Sequence, residues 1–150
     1  MSLHYAFDLD GTLANNEHRA YLVQGPDKDW EGFFQLCHND FPMRAMCAIA
    51  SALFDAGHRV SFWSGRPESS NDKTRHWLRH NLGEWTDVCD LFTRKDRDMR
   101  YGALIREDFL AFGHPDLVFE DNPKIVDFLN KRGVFSLLVK PGDVNEPAEV

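Results

Sequence analysis

Short apolar runs of strand length alternate along this chain with longer stretches whose apolar residues recur at helical spacing. No other feature constrains the fold as much, because strands separated by helices must lie parallel, with the helices packed over the sheet faces. Leu3 to Leu9 is an apolar run ending in acids and reads as a buried strand. Arg59 to Trp63, Asp90 to Thr93, Asp116 to Phe119 and Val134 to Val139 read as further strands, the last of them buried. Met46, Ile49, Ala50, Leu53 and Phe54 mark a helix that Pro42 opens and Gly57 closes. Asp72 to Leu82 reads as a helix with Trp77 and Leu78 inward, and Gly102 to Phe112 as another, with Leu104, Ile105 and Phe109 apolar. Pro123 opens a helix carrying Ile125, Phe128 and Leu129, which Gly133 stops. Ser64-Gly65-Arg66-Pro67 reads as a loop, and the residues after Pro141 as a loose tail. The expected fold class is α/β, a three-layer sandwich with a parallel sheet between helices.

A chain of 150 residues suits a single domain, 1–150. It should bury roughly 70% of its unfolded surface, enough for a core without disulfides or a structural metal. Residues 15–41 depart from the alternation. They are more polar and hold two short helices, the second around Trp30 to Leu36, so they read as a short helical insertion.

The net charge of -7, from 17 basic and 24 acidic residues, argues against a tight grip on long duplexes, whose phosphates demand a basic surface. It leaves room for a short strand, a mononucleotide or a divalent metal. The chain has no membrane-length apolar run and no leader-like start. The three cysteines, Cys37, Cys47 and Cys89, form no CxxC and read as buried free thiols in a reducing compartment. The expected setting is the cytoplasm, with no membrane contact and no obligate protein partner indicated.

In a parallel sheet of this kind the ligand sits beyond the carboxyl ends of the strands, and there the polar residues gather. Asp8 and Asp10 lie two apart at the end of the first strand, where period-2 geometry would crowd both carboxylates on one side. Such crowding calls for a cation, and hard oxygen ligands suit Mg²⁺. Gly11 and Thr12 allow a tight turn whose backbone N–H groups suit a phosphate. Glu120-Asp121 ends another strand with a second acid pair, and Ser64 ends a third, with Arg66 just beyond.

Phe7-Asp8-Leu9-Asp10-Gly11-Thr12-Leu13 resembles the first motif of the haloacid dehalogenase superfamily in its phosphatase form. Ser64 resembles the second motif and Glu120-Asp121 the fourth. Within the superfamily, the chain is similar to the phosphatase domain of polynucleotide kinase-phosphatases, including stand-alone phage-type versions. Ser64-Gly65-Arg66, Thr74-Arg75-His76-Trp77-Leu78, the RxDxDxR spacing of Arg94, Asp96, Asp98 and Arg100, and Val118 to Val126 carry that likeness. The chain departs from it in two places. Arg106 stands where the family has a lysine, a cation that Lys95 or Lys124 could also supply, and Asn122 follows the fourth-motif acids where arginine is frequent. No GxxxxGK[S/T] occurs, so the likeness is to the phosphatase half alone.

The resemblance implies that Asp8 attacks phosphorus to form an aspartyl-phosphate. Asp10 would protonate the leaving oxygen and then activate water. Mg²⁺ would be held by Asp8, the backbone carbonyl of Asp10 and Asp121, with Glu120 binding directly or one layer out, and would keep Asp8 ionised while Asp10 carries a proton. Ser64 and Arg106 would bind the non-bridging oxygens, and Gly11, Thr12 and Gly65 would line the phosphate site. Arg66 would hold the substrate further out. From the insertion, Asn16, His18 and Arg19 could reach the substrate, with Asp40 behind them, or could form a solvated helix face. Trp30, Phe33 and Phe34 could stack on a base or simply be core. His76 and His80 have metal-pair spacing but no third ligand nearby in sequence.

The expected activity is a Mg²⁺-dependent phosphomonoesterase acting on the 3′-phosphate end of a polynucleotide. The first alternative is a phosphatase of free mononucleotides or other small phosphoesters. The second is a non-catalytic phosphate-binding or partner-binding relative.

Overall fold

The computed structural model describes residues 1–140. The tail expected after Pro141 lies outside them. Five strands form one parallel sheet: β1 (His4–Asp8), β4 (Arg59–Pro67), β5 (Asp90–Arg94), β6 (Leu117–Glu120) and β7 (Ser136–Leu138), in the order β5-β4-β1-β6-β7. The chain builds outward from β1 on one side, then crosses to the other side of β1 for β6. The switch point therefore lies at the carboxyl ends of β1, β4 and β6, where such sheets leave a crevice.

Alternation along the strands feeds two cores. Phe7 and Phe62 pack with Ala50, Trp77 and Leu78, which belong to α3 (Arg44–Asp55) and α4 (Asn71–Asn81). Ala6, Trp63 and Val118 face the other way, onto Ile105, Phe109, Ile125 and Leu129 of α5 (Gly102–Leu110) and α6 (Pro123–Lys131). Neighbouring residues of one strand thus serve opposite layers, the physical basis of the three-layer sandwich. Burying Phe7 and Phe62 contributes about 1.5–3 kcal/mol each. All three cysteines are buried and unpaired. No helix among the described residues is long and apolar enough to cross a membrane.

Between β1 and α3 the chain forms β2 (Ala14–Asn15), α1 (Glu17–Ala20), α2 (Trp30–Gln35) and β3 (Phe41–Pro42). β2 and β3 pair antiparallel, Ala14 with Pro42 and Asn15 with Phe41, and so tie the two ends of the insertion together. The side chain of Asp29 caps α2 by accepting from the Gly32 N–H at 2.9 Å.

Three local expectations are corrected. Pro42 does not open a helix. It belongs to the β2–β3 ribbon, Met43 N–H donates to Leu13 O at 2.7 Å, and α3 begins at Arg44. Ser64 to Pro67 is not a loop, because β4 resumes pairing with β5 across an irregularity, Pro67 against Arg94; a partner strand outweighs the local turn preference of Gly and Pro. The last strand is shorter than expected and is an edge strand, with Leu137 and Leu138 41% and 46% exposed. At a sheet edge the neighbouring layer covers less of each side chain.

Candidate active site

Two polar corners meet at the carboxyl ends of β1, β4 and β6. In the first, Asp8 and Glu120 end their strands and are buried, with Asp121 next to them. Their carboxylate oxygens lie within 4.8 Å of one another. Arg106 reaches in from α5, its Nη2 donating to Asp8 Oδ1 at 2.9 Å and to Glu120 Oε2 at 3.4 Å. Thr12 donates its hydroxyl to the other Asp8 oxygen at 3.4 Å, and the Asn122 N–H donates to Glu120 Oε1 at 3.1 Å. Gly11 is required here. Its φ is 83°, and a Cβ on it would stand 2.0 Å from Asp121 Oδ2.

Three carboxylates against one guanidinium leave this corner short of positive charge. Burial, then the charge of Glu120, push Asp8 well above the ordinary carboxylate range against the opposing pull of Arg106. Burial also raises Glu120, to about 7, again against Arg106. A hard divalent cation such as Mg²⁺ fits this donor set, since three oxygen donors converge where negative charge is uncompensated. Arg106 Nε and Nη1 are buried with no hydrogen-bond partner among the described residues. Such donors call for an acceptor, and a phosphate oxygen is one.

The second corner surrounds Asp10. The guanidinium of Arg66, from β4, holds the Asp10 carboxylate through Nη2 at 2.7 Å and Nε at 3.2 Å, and Arg19 Nη2, from α1, holds the same Oδ1. Asp40 closes the network, accepting from Arg19 Nε at 2.8 Å, Arg19 Nη2 at 2.6 Å and Arg66 Nη2 at 3.2 Å. Thr74 accepts from Arg66, the Phe33 carbonyl accepts from Arg19, and the Trp77 indole donates to the Asp40 carbonyl. The Arg19 guanidinium lies 4.0 Å over the Phe33 ring. Burial alone would raise Asp10, but Arg66 and then Arg19 outweigh it and hold the carboxyl below its usual range.

Several expectations change on this geometry. Asp8 and Asp10 do not share one charge cluster, because β1 ends at Asp8 and the period-2 rule ends with it. The Asp10 side chain turns to the arginines and contributes no oxygen to the acid cluster. Between the two carboxyls, burial and the neighbouring acids favour a proton on Asp8 when no metal is bound, whereas the expected order, with Asp8 ionised and Asp10 protonated, is the one with Mg²⁺ in place. Arg66 and Arg19 do not reach outward to a substrate; both are 0% exposed and spent on Asp10 and Asp40. The picture of α1 as a solvated face fails for Arg19 on the same ground. His18, 33% exposed, is tied to Asp40 at 2.8 Å. Ser64 is fully buried and its Oγ accepts from the Arg66 N–H at 3.1 Å, so it supports the wall of the site while Gly65 lines it.

A hollow of about 240 Å³ joins the two corners, with Asp8, Asp10, Gly65, Arg106, Glu120 and Asp121 on its walls. Of the cations considered for the family's lysine position, Arg106 is the one on that wall; Lys95 is 83% exposed and paired with Glu68 at 3.1 Å. Phe33, which is buried, Trp30, 41% exposed, and Phe34 all border the hollow. Sequence reasoning gives Arg94 no role of its own, yet it also lines the hollow. Asp40, ranked behind its neighbours, anchors the second corner. The signal for it is the return of the insertion to its starting point, which pairing across β2 and β3 makes compulsory.

The family described as the phosphatase domain of polynucleotide kinase matches residues 4–144. The chain belongs to this family. It is therefore a haloacid dehalogenase-type phosphatase, a phosphoric monoester hydrolase. Among solved structures, two of a Pnkp1/Rnl/Hen1 complex, one described as an RNA repair complex, share the fold with TM-scores of 0.72 and 0.73 at 19% and 18% identity. They cover 95% of this chain, which spans only 44% and 47% of those chains. A class C acid phosphatase from Bacillus anthracis with tungstate bound follows at TM-score 0.62 and 14% identity, covering 92% of this chain and 67% of its own. A D,D-heptose 1,7-bisphosphate phosphatase from B. bronchiseptica, complexed with magnesium and phosphate, gives 0.57 and 14%, covering 92% and 80%. No curated protein matches the sequence significantly.

Proposed function

We propose that this phosphatase removes the 3′-phosphate from a polynucleotide end, with Mg²⁺ as cofactor and Asp8 as nucleophile. The observation that carries the reading is the position of Asp8, between the unpartnered donors of Arg106 and a cation-deficient acid cluster at the switch point. The family match favours a nucleic-acid end, and the RNA repair complex of the structural neighbours is consistent with one.

In the first half-reaction an Asp8 carboxylate oxygen bonds to phosphorus as the bond to the leaving 3′-oxygen breaks. The charge of the incoming phosphate dianion raises Asp10 against the hold of Arg66 and Arg19, and Asp10 gives the leaving oxygen the proton it then carries. In the second half, Asp10 takes a proton from water, the water oxygen bonds to phosphorus, and the acyl-phosphate bond breaks to release inorganic phosphate and Asp8. Arg106 Nη1 and Nε donate to the non-bridging oxygens throughout. Arg66 and Arg19 fix Asp10 in place so that its oxygen meets the leaving group without reorganising. Mg²⁺ bound by Asp8, Glu120 and Asp121 would neutralise the negative charge that otherwise opposes approach of a phosphate.

The second reading, a phosphatase of free mononucleotides or other small phosphoesters, draws on the small hollow and on the net charge of -7. Phosphate release with Mg²⁺ from a 3′-phosphorylated oligonucleotide, its 5′-phosphorylated twin, and 3′- and 5′-mononucleotides separates the two. Preference for the 3′-phosphorylated oligonucleotide is expected. Equal or faster turnover of the mononucleotides would replace the proposal with the second reading.

A further inference from the structure

Beside the catalytic hollow lies a larger cavity of about 940 Å³, and the two share Trp30, Phe34, Arg94 and Gly102 as walls. Its size is at the upper end of small-ligand sites, far more than a phosphoryl group needs. On one side, α2 presents Trp30 and Phe34, their rings stacked with centroids 5.9 Å apart. On the other, the segment between β5 and α5 presents Arg97, Met99 and Tyr101. Met99 and Tyr101 are 77% and 85% exposed, so apolar side chains stand in water on both sides of a cavity that adjoins the reacting atoms.

The cations here are placed for an anion. Arg94 spends Nε and Nη1 on the carbonyls of Gly65, Asp98 and Arg100. Its Nη2 stands 3.4 Å from where a Gly65 Cβ would be, and Arg106 Nη1 stands 3.3 Å from the same point. Two guanidinium groups therefore face Gly65 in the catalytic hollow, and one of them, Arg94, is also a wall of the larger cavity. Arg97 has φ 65°, the single non-glycine residue with positive φ among the described residues. The acids flanking it also line the cavity but are paired within its wall, Asp98 with Arg100 at 2.6 Å and Asp96 with the Ser69 N–H at 3.1 Å.

We propose that this cavity binds the nucleotide next to the phosphorylated one in a single-stranded 3′-phosphate end. The base of that neighbour lies on the Trp30–Phe34 wall, and the phosphodiester joining the two nucleotides lies at Arg94 and Arg97. Aromatic faces accept any unpaired base, and guanidinium groups track the backbone, which is the combination single-strand binders use. A base held in a duplex could not reach the wall. The inference rests on the phosphatase reading of the Asp8 site and adds the length of strand it prefers.

The test compares 3′-phosphorylated mono-, di- and trithymidylate. Kd for the Asp8→Asn variant is measured by calorimetry with Mg²⁺, and kcat/KM for the unmodified protein by phosphate release. From mono- to dinucleotide, Kd should tighten by about tenfold, with a similar step in KM and little further gain at three, the scale of one stacked base. The step should shrink to about threefold or less in the Trp30→Ala and Arg97→Ala backgrounds, and Trp30→Phe should restore it. Equal Kd for all three lengths, or a step that survives both alanine variants, would overturn the subsite and leave the phosphatase reading intact. A binding step without phosphate release from any of the three would uphold the subsite and overturn the 3′-phosphate reaction.

Discussion

The two corners of the site carry similar side chains and opposite balances. Around Asp10, two carboxylates meet two guanidinium groups, and every charge in the interior has a partner. Around Asp8, three carboxylates meet one guanidinium. The first corner is complete in the polypeptide itself. The second carries more negative than positive charge, and Arg106 keeps donors with no partner among the described residues. A buried set that pairs internally positions a residue, and one that does not is ready for a ligand.

Activity should break the comparison most sharply. Asp8→Asn removes the carboxylate proposed to bond phosphorus, and phosphate release should fall to background with the circular dichroism spectrum unchanged; retained turnover would remove Asp8 from the nucleophile role. Next in size is Arg66→Ala. It strips the better-held guanidinium from Asp10 and leaves Asp40 short of a partner, and should cost about 3–5 kcal/mol in urea unfolding. A loss no larger than that of an exposed pair such as Arg79–Glu84 would show that the second corner is not the tightly held one.

Stability against pH should then separate the corners by sign. Asp8 and Glu120 are raised by burial, so the stability linked to their protonated forms is present at low pH and lost as pH rises through about 7, the Glu120 value. Asp10 is lowered by its arginines, so its contribution is present above its ordinary pKa and lost only as pH falls through the lower folded value. Without metal, the melting temperature should fall between pH 5.5 and 8. Mg²⁺ should raise it more at pH 8 than at pH 5.5, because a proton on Glu120 competes with the cation. A Mg²⁺ shift independent of pH would mean that these acids do not hold it. The smallest effect is expected of Arg106→Lys, which keeps the charge and loses the fork, with kcat/KM down about tenfold and much of the loss in KM.

Much of this architecture is legible in the amino-acid sequence. Strand-helix alternation implies the layers, because side-chain periodicity is a local property that the backbone imposes. The acids at the ends of β1 and β6 are placed by the same logic, since a strand's end is visible in its own residues. Pro42, Ser64 to Pro67 and the edge strand are not legible in this way, because pairing partners far along the chain decide them. Arg19 and Arg66 read as outward-facing because isolated arginines usually are.

The sequence alone determined that acids would crowd the carboxyl edge of a parallel sheet, and which residues those would be. Tertiary structure decided how the charges divide: Asp10 with the arginines of β4 and α1, Asp8 with Glu120 at the end of β6 and Asp121 just after it. That division depends on Coulomb interactions over a few ångströms between residues far apart in the chain, Asp8 and Arg106 among them. Only the folded chain brings such groups within reach of one another.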